Sequence, residues 1–595
     1  MAAPVAGFSV ETTATSSPNS PSPSHSVPGH SSSSSSRGVQ HAVAGDLDNM
    51  KLDLLMLTFN CAKAAIDVGT FATHLYSALL ERGQAAAPAQ LPEMVVLSLQ
   101  EVAPLPNAFI GGALLDLYLH RFEEALNLAA LNAAVGTDTS SVGCAQAAAA
   151  ASDTTCNINA NSTSTPALPL HFETLPPDSD RPYSLIKSHN VGMTALMLFA
   201  RSPAAVGPVQ VAEVGFGAAG MGNKGAVGLR TVFSRAYDSS SESTELTFVA
   251  AHLAAMEENL AQRNANWLRI MRELTFADPA PVIQKHAQLT AQTGDAENRD
   301  GSHGDSDGED IGLLAARHHD AKVNLDAKLH DLSVFKPSSH LFIGGDFNYR
   351  ISLTSPPPDA VFPSPDPESP NYFEKFLPMD QLTRERKAGR TFHGMMEAPV
   401  AFPPTYKYKA LPRVAPENQI ETHVPATFAR HRYPSWTDRI LYLDTPPWVH
   451  DSSSSTNAKK QKQATSIDVH TYTSLPLMRS SDHQPVYLHV SVPLLSREVL
   501  APPHGGSDMN HDSDDNDQVV GTNMPTAWQN DPRARLPSSI DADSWAVRRA
   551  GRRREWAVGW AGAVWATRQG ALVLATVLSL VAATYVAVQN FYEFE

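Results

Sequence analysis

Cysteine is scarce in this chain of 595 residues, which has only Cys61, Cys144 and Cys156. The last two fall in a stretch rich in Ala, Ser and Thr. Three widely spaced cysteines supply neither a disulfide framework nor the paired spacing of a zinc site. The composition therefore excludes a small disulfide-stabilised domain and favours a reducing, cytosolic environment.

Positive charge is also in short supply. Lys and Arg number 45 against 61 Asp and Glu, which gives a formal net charge of −16. A protein that binds nucleic acid generally needs a basic surface along the phosphate backbone. We therefore expect no nucleic-acid partner, although a local basic pocket remains compatible with this balance.

Long apolar runs are nearly absent, and the exception lies at residues 571–589, "ALVLATVLSLVAATYVAVQ", which carry no charge. At about 1.5 Å per residue, a helix of this length roughly spans the ~30 Å hydrocarbon layer. The alternative is a buried core helix. A long polar linker precedes the run and no folded partner follows it, so we expect a transmembrane tail anchor.

The charges around this run predict its orientation. The arginine-rich "RRAGRRRE" at 548–555 and Arg568 precede it, whereas the six residues after Gln589 carry two glutamates. The positive-inside tendency places the basic side, and with it the rest of the chain, in the cytosol. The N-terminus shows no basic region followed by an apolar run, so no signal peptide is expected. The acidic flank favours the endoplasmic reticulum over the mitochondrial outer membrane.

Low-complexity segments divide the chain. Residues 1–48 are rich in Ser and Pro, and such composition buries too little apolar surface to offset the entropy of ordering. The predicted layout is a disordered N-terminus at 1–48, a catalytic domain at 50–495 with inserts near 132–166, 289–313, 354–370 and 451–466, a disordered linker at 496–547, a basic juxtamembrane segment at 548–570 and the anchor at 571–589.

Within the catalytic domain, apolar strand-like segments alternate with helical ones. Strands are predicted at 52–60, 94–102, 194–201, 246–253, 340–348, 439–444 and 484–492, and helices at 70–82 and 257–274. Several strands are apolar throughout, as expected when both faces of a sheet are covered. The pattern predicts a layered α/β sandwich.

Polar side chains recur where these strands end, and such positions commonly build the sites of α/β proteins. In "IGGDFNYRI" (343–351), Asp346 and Asn348 lie two residues apart, so in an extended chain they face one side and Phe347 the other. The ordinary alternative is a turn. The complete set of strand-end residues is Asn60, Glu101, His252, Asp346, Asn348, Asp438 and His483, with Asp482 beside the last.

Taken singly, these residues have ordinary explanations, such as a helix cap for Asn60, a core position for His252 and a turn for Asp482. Their order, together with the stretches around them, is more specific. The distinctive stretches are "MGNKGAVGLR" (221–230), "GGDFNYRI", "FPPTYKY" (402–408), "PSWTDRILY" and "SSDHQPVYLHV". The chain resembles the inositol polyphosphate 5-phosphatases of the endonuclease/exonuclease/phosphatase superfamily. With its anchor it is similar to fungal membrane-anchored members that act on phosphatidylinositol 4,5-bisphosphate.

The resemblance implies a four-layer α/β/β/α sandwich and Mg²⁺-dependent removal of the 5-phosphate from phosphatidylinositol 4,5-bisphosphate, giving the 4-phosphate. It implies that Asp346 orients and deprotonates the attacking water and that Asn348 stabilises the transition state. His483, held by Asp438, contacts the scissile phosphate, as does His252. The implied metal ligands are Glu101, Asn60 and Asp482, and the implied substrate contacts are Asn223, Lys224, Tyr406, Lys407, Arg430 and Arg432.

The sequence departs from the family in several places. Met256 stands where the second histidine of His-Leu-Ala-Ala-His is usual, the stretch between "TYKY" and "RYPSW" is longer than usual, and Arg430 stands where a lysine is common. Three alternatives stay open: a nuclease of the same fold, a membrane-associated sphingomyelinase, and an inactive phosphoinositide-binding tether. The "PPTYKY" stretch favours a phosphoinositide substrate. Retention of Glu101, Asp346 and His483 favours an enzyme over an inactive tether.

Overall fold

A computed structural model of the chain describes residues 51–80, 91–149, 181–237, 240–297, 309–409, 427–451, 464–503, 530–566 and 568–592, together with Pro525 and Trp528. The predicted disordered N-terminus, 1–48, lies outside the described residues. So do the parts of the predicted inserts and linker at 150–166, 298–308, 452–463 and 504–524.

Eleven strands of the described residues form two mixed sheets. The first sheet has the order β10-β11-β1-β2-β4-β3 and the second β5-β6-β7-β8-β9. The strands are β1 Lys51–Asn60, β2 Met94–Gln100, β3 Ser184–Val191, β4 Thr194–Ala200, β5 Gln210–Gly215, β6 Gly225–Tyr237, β7 Ser240–His252, β8 Ser339–Asp346, β9 Asp438–Tyr442, β10 Asp468–Ser474 and β11 Val486–Pro493. Within these sheets β1 pairs with β2, and β7 with β8, in parallel.

Side-chain alternation along the strands builds the layers. In β1, Leu52, Leu54 and Met56 enter an apolar cluster between the two sheets, whereas Leu55, Leu57 and Phe59 enter a cluster under the helices that cover the first sheet. Strands covered on both faces need apolar residues at every position. This explains why the β1 sequence is apolar almost throughout.

Helices cover the outer face of each sheet. The α-helices of the described residues are α1 Val68–Leu80, α2 Leu105–Ile110, α3 Ala113–Ala149, α4 Leu260–Glu273, α5 Ala280–Glu297, α6 Glu309–Leu332, α7 Gln381–Lys387, α8 Pro447–Asp451, α9 Arg497–Leu500, α10 Ser544–Ala566 and α11 Arg568–Tyr592. Helices α1 and α3 pack on the first sheet, where Phe71 and Phe122 meet edge to face. Helix α4 packs on the second sheet through Trp267 and Ile270. The predicted four-layer α/β/β/α sandwich is confirmed.

The predicted strands correspond to β1, β2, β4, β7, β8, β9 and β11, and the two predicted helices to α1 and α4. Strands β3, β5, β6 and β10 were not predicted. They lie toward the ends of the two sheets, and β3, β5 and β10 are only partly buried. Partial burial permits polar residues, which weakens the apolar signal.

The C-terminal region differs from the predicted linker over residues 530–547. Arg533 is buried, and its guanidinium donates to the carbonyl of Asp444 at 2.6 Å. His330 Nε2 contacts the carbonyl of Pro532 at 2.9 Å. The described insert at 354–370 is also held, through a bridge between Ser364 and Tyr372. Long-range polar contacts of this kind leave no pattern that hydrophobic periodicity detects.

Among the described residues, one helix is long and apolar enough to cross a membrane. It is α11, where Gly570–Ala587 has a mean hydropathy of 2.1 and none of these residues is buried inside the protein. The length and composition of α11 would also suit the core helix of a soluble protein. The exposure of α11 argues against a core position. Helix α10 before it is different, because part of it packs on the sandwich.

Candidate active site

One edge of the sandwich collects the polar strand ends. Asn60 is the last residue of β1 and pairs with Gln100 of β2, so that Glu101 follows at the same edge. In the second sheet His252 pairs with Asp346, and Asp346 pairs with Asp438. Asp438 begins β9 rather than ending a strand. Because β9 runs antiparallel to β8, its first residue lies beside the last residue of β8.

Asp346 is the centre of this edge and is almost fully buried. Its Oδ2 accepts a hydrogen bond from Asn60 Nδ2 at 2.9 Å and contacts His252 Nε2 at 3.2 Å, and its Oδ1 accepts from the Asn348 backbone N–H at 3.0 Å. Burial raises the pKa of Asp346, but His252, His483 and Lys224 together bring it well below its ordinary value. The carboxylate is therefore anionic at neutral pH.

Gly345 permits the close approach that places Asp346 beside His252. A Cβ at position 345 would lie 1.9 Å from the carbonyl oxygen of Ala251 in the neighbouring strand. Real Cβ atoms do not approach so closely, so any larger residue would separate β7 from β8 or distort the end of β8. The second glycine of "GGD" thus has a role in the site itself.

His483 and Asp438 form a buried ion pair, with His483 Nδ1 2.9 Å from Asp438 Oδ2. Thr405 and Thr437 hydroxyls donate to the same oxygen at 2.7 and 2.8 Å. Burial lowers the pKa of His483, but the charge and hydrogen bond of Asp438, with Asp346 and Asp482, raise it to about 9. The imidazole is therefore a cation whose Nδ1 is committed to Asp438.

Lys224 and His252 meet on the other side of Asp346. Lys224 Nζ contacts His252 Nε2 and lies 4.0 Å from Glu101 Oε1, while Lys63 Nζ lies 3.0 Å from Glu101 Oε2. Burial and the charge of Lys224 lower the pKa of His252, so this histidine is neutral. The site thus contains one cationic and one neutral histidine, distinguished by their nearest charges.

Asn348 does not share a face with Asp346 by strand alternation, and that expectation is wrong. Strand β8 ends at Asp346, and Asn348 adopts a φ of +57°, which turns the chain. Its Nδ2 donates to the carbonyl of Leu253 at 3.2 Å, and Arg350 donates to its Oδ1. The two side chains come together through a turn closed by the Asn348 N–H on Asp346, a common arrangement for an Asp two residues before an amide.

Two of the predicted substrate contacts lie beside His483. The centroids of the Tyr406 and His483 rings lie 4.3 Å apart. The guanidinium carbon of Arg350 lies 4.6 Å from the centroid of the Tyr406 ring. Lys407 Nζ pairs with Asp482. Burial lowers the pKa of Lys407, but Asp482 and Tyr406 raise it above its ordinary value, so the ammonium stays charged.

The remaining predicted contacts are more dispersed. Arg432 pairs with the buried Glu257 and its Nη2 lies 3.5 Å from the sulfur of Met256. Arg430 is exposed, over the ring of Phe362 at 5.7 Å, so the two arginines have different partners. Asn223 is exposed, and its Oδ1 lies so close to Gly217 that a Cβ there would be 1.7 Å away.

Sequence reasoning missed Arg350, Thr405, Thr437 and Lys63. Arg350 stood within the quoted "GGDFNYRI", four residues after Asp346, and Thr437 immediately precedes Asp438. Thr405 and Asp438 lie 33 residues apart, so no local pattern links them. Lys63 lies in a loop three residues beyond Asn60 and is recognisable only once Glu101 is seen beside it.

The oxygen donors at the first sheet's edge fit a hard cation such as Mg²⁺. Burial raises the pKa of Glu101, but His252, Lys224 and Lys63 hold it below its ordinary value, so its carboxylate is ionised. The amide oxygen of Asn60, at the end of the neighbouring strand, accepts a hydrogen bond from the Ala62 N–H at 3.0 Å and has a second lone pair. Asp346, Asp438 and His483 also bring ligand atoms within 4.8 Å of one another. Within that trio, His483 Nδ1 already binds Asp438 Oδ2 at 2.9 Å.

The profile of the endonuclease/exonuclease/phosphatase family 2 matches residues 57–489. The type II inositol polyphosphate 5-phosphatase 14 of Arabidopsis thaliana is 30% identical over 299 residues, which cover 49% of this chain and 22% of that protein. The inositol-1,4,5-trisphosphate 5-phosphatase 1 of Schizosaccharomyces pombe is 27% identical over 309 residues, 51% of this chain and 19% of that protein. The chain thus spans only about a fifth of these relatives' length.

Among solved structures, the chain is similar to the inositol polyphosphate 5-phosphatase domain of a synaptojanin, a crystal structure in complex with inositol (1,4)-bisphosphate and calcium ion. The identity is 21%, the TM-score 0.39, and the match covers 76% of this chain and 89% of that one.

The histidine ion pair generates a testable expectation. In the native protein His483 should titrate near pH 9. A raised folded-state pKa means that the pair stabilises the fold fully below the unfolded value of about 6.5 and loses this contribution as pH rises through about 9. Asp438→Asn removes the charge and the hydrogen bond that raise this pKa most, while burial still lowers it and Asp346 and Asp482 still raise it, so the His483 pKa should fall below about 9. NMR titration of ring-labelled histidine between pH 5 and 10 measures both values, with His483→Gln assigning the resonance. An unchanged pKa in Asp438→Asn would contradict the assignment.

Proposed function

The chain belongs to the endonuclease/exonuclease/phosphatase family, and from this premise we propose that it is a phosphoinositide 5-phosphatase that converts phosphatidylinositol 4,5-bisphosphate to phosphatidylinositol 4-phosphate. The observation that carries the proposal is the convergence of an anionic Asp346 and a cationic His483 at one buried edge. Its relatives bear the names of inositol polyphosphate 5-phosphatases.

In the proposed reaction, a water oxygen attacks the 5-phosphorus, the bond to the inositol oxygen breaks, and a proton from the water ends on that oxygen. Asp346 accepts a hydrogen bond from the attacking water and directs its lone pair. Because its pKa is held so low, Asp346 is a weak base. We therefore assign it chiefly the orientation of the water rather than complete removal of its proton, which refines the role implied by the sequence.

The cations around Asp346 serve the phosphoryl group. His483 has its Nδ1 on Asp438, which leaves its Nε2–H for a phosphoryl oxygen. Lys224 brings a second cation from the opposite side of Asp346. Asn348 Nδ2 donates one of its two hydrogens to the carbonyl of Leu253, which leaves the second for a phosphoryl oxygen. Donors fixed in a buried site stabilise developing charge without reorganising during the reaction.

We propose Mg²⁺ as the cofactor, with Glu101, Asn60 and Asp482 holding it directly or through its waters. When bound, the cation supplies Lewis-acid polarisation of the phosphoryl group. The three residues supply oxygen donors, as Mg²⁺ prefers. Burial raises the pKa of Asp482, but His483 and Lys407 lower it below its ordinary value, which keeps this carboxylate ionised.

The decisive experiment measures phosphate release by the full-length protein in detergent, from short-chain phosphatidylinositol 4,5-bisphosphate, 3,4,5-trisphosphate and 4-phosphate, before and after chelation and Mg²⁺ replacement. We expect release from the first two, none from the third, and loss of activity on chelation. Asp346→Ala should lower kcat by about 10³-fold with little change in KM, whereas the exposed Asp359→Ala should match the wild type. Release from sphingomyelin or nuclease activity instead would favour the alternative enzymes, and no turnover at all would favour an inactive tether.

We further propose that Lys407 and Tyr406 receive the 4-phosphate, with Arg432 as a neighbouring cation. Tyr406 stacks beside His483, so a phosphate adjacent to the scissile one falls near Lys407. Arg432 is already paired with Glu257, which is 2% exposed in its side chain, so removing Arg432 leaves a buried carboxylate unpaired. Lys407 is therefore the cleaner probe of this pocket.

Lys407→Ala should raise KM for the bisphosphate. The loss of one charge-assisted contact costs roughly 1.5–3 kcal/mol, or about 10- to 150-fold. A substrate with only the 5-phosphate never uses this contact, so its kcat/KM should change much less. Arg432→Ala should show the same selectivity together with a lower melting temperature. Equal losses on both substrates for Lys407→Ala would withdraw the 4-phosphate assignment.

We propose that α11 anchors the protein in a membrane, with the sandwich in the cytosol, at the endoplasmic reticulum. Deletion of residues 569–595 should move the protein from the carbonate-resistant membrane fraction to the soluble one, because the exposed apolar surface of α11 is lost. Activity on soluble inositol 1,4,5-trisphosphate should persist, since α11 contributes no candidate site residue. A truncated protein that stays in the membrane pellet would exclude α11 as the anchor.

A further inference from the structure

Helix α10 seats one face on the sandwich and exposes the other. The buried positions recur every three or four residues, the period of one helix face: Ser544, Arg548, Gly551, Glu555 and Gly559. Arg549, Arg553 and Trp556 lie between them and are exposed. The segment that the sequence presented as a basic membrane flank is therefore a docked element of the domain.

Glycines allow α10 to approach closely. A Cβ on Gly551 would lie 2.4 Å from the carbonyl oxygen of Gly220, and one on Gly559 would lie 3.0 Å from atoms of Phe109 and Ile110. The helix thus contacts two segments, the loop around Gly220 and α2, which begins four residues after Glu101. Both segments adjoin the candidate active site rather than the far end of the sheets.

Glu555 makes the central polar contact of this interface. Its side chain has no solvent exposure, and its Oε1 accepts a hydrogen bond from the backbone N–H of Gly222 at 2.7 Å. Arg548 donates to both carboxylate oxygens and, through Nη1, to the carbonyl of Gly220 at 3.2 Å. Arg554 donates to the carbonyl of Ala219 at 2.9 Å. Three side chains of α10 therefore bind the backbone of residues 219–222.

The loop held in this way carries Lys224. It is closed by hydrogen bonds from Phe216 N to the Lys224 carbonyl and from Gly217 N to the Met221 carbonyl, both 2.8 Å. On its other side, the carbonyl of Gly222 accepts from Met193 N at 3.3 Å. Gly222 is thus hydrogen-bonded to Glu555 on one side and to the β3–β4 turn on the other. It lies two residues before Lys224, which contacts His252 and Glu101.

We propose that Glu555 is a positioning residue for the active site: by binding the Gly222 N–H it fixes the loop 216–224 and so places the Lys224 ammonium against His252 and Glu101. This inference rests on the proposed function, because Lys224 acts there on the phosphoryl group. It assigns helix α10 a role in supporting catalysis that is separate from the membrane attachment proposed for α11. A displacement of about 1 Å at a catalytic group is enough to cost on the order of 100-fold in rate.

The test uses full-length protein in detergent and soluble inositol 1,4,5-trisphosphate, so that membrane binding does not enter. Glu555→Ala should lower kcat at least about tenfold with a smaller change in KM. Glu555→Gln keeps an oxygen acceptor for the Gly222 N–H and should retain more activity than Glu555→Ala. The exposed Arg553→Ala on the same helix should match the wild type.

A double-mutant cycle with Lys224→Met separates positioning from general destabilisation. If Glu555 acts through Lys224, adding Glu555→Ala or Glu555→Gln to Lys224→Met should change kcat less than twofold, because coupled residues are not additive. Fully additive losses would overturn the proposal, as would equal kcat for all Glu555 variants and the wild type. If Glu555→Ala does not fold, the Glu555→Gln cycle decides.

Hydrogen exchange gives a readout that does not depend on activity. Peptides covering residues 216–225 should exchange faster in Glu555→Ala, while peptides from β1 should be unchanged. Unchanged exchange at 216–225 would overturn the proposed contact even if activity fell. Absence of turnover in the wild type, with faster loop exchange in Glu555→Ala, would instead refute the proposed phosphatase function and leave the loop contact standing.

Discussion

The hydrogen bond between Asn60 and Asp346 is the interaction on which the site depends, because it joins the two sheets. Asn60 ends β1 of the first sheet and Asp346 ends β8 of the second, 286 residues later in the chain. The apolar cluster between the sheets is non-directional and tolerates small sliding, whereas a 2.9 Å hydrogen bond does not. The edge-to-edge match of the two sheets thus brings Glu101 and His252, from different sheets, into one site.

Charge within the site opposes the charge of the whole protein. The chain carries a net −16, yet His483, Lys224, Lys63 and Arg350 surround the strand ends. Each cation has an acidic or polar partner in the ligand-free protein, so none is left buried alone, which would be costly. A phosphate dianion would therefore replace these acidic or polar partners of the cations. Because the rest of the protein surface is acidic, the attraction for phosphate is confined to the site.

Much of the fold and of the site was predictable from sequence because strands buried on both faces leave long apolar runs with polar ends. The positions of Asn60, His252 and Asp346 follow from that pattern. The orientation of Asn348 does not, because it depends on a φ of +57° that no strand rule predicts. The partner of Arg432 was also inaccessible, since Glu257 lies 175 residues away and belongs to the loop before α4. Long-range pairing of charged groups leaves no local periodicity.

Helix α10 shows the same limit in a different form. Hydrophobic patterning finds helices that bury apolar side chains, but α10 docks through glycines and an arginine–glutamate pair. Its arginines look like a membrane-facing cluster in the sequence, yet Arg548 is buried against Glu555 and Arg549 pairs with Asp278. A charge bound within the domain contributes less to attraction toward anionic lipid than a free one. The single glutamate in "RRAGRRRE" is the sequence feature that marks the difference, because a buried arginine needs a carboxylate, and Glu555 lies on the same helix face two turns after Arg548. The basic segment is therefore better understood as a docked element of the α/β sandwich, whereas the apolar helix α11 that follows it is exposed.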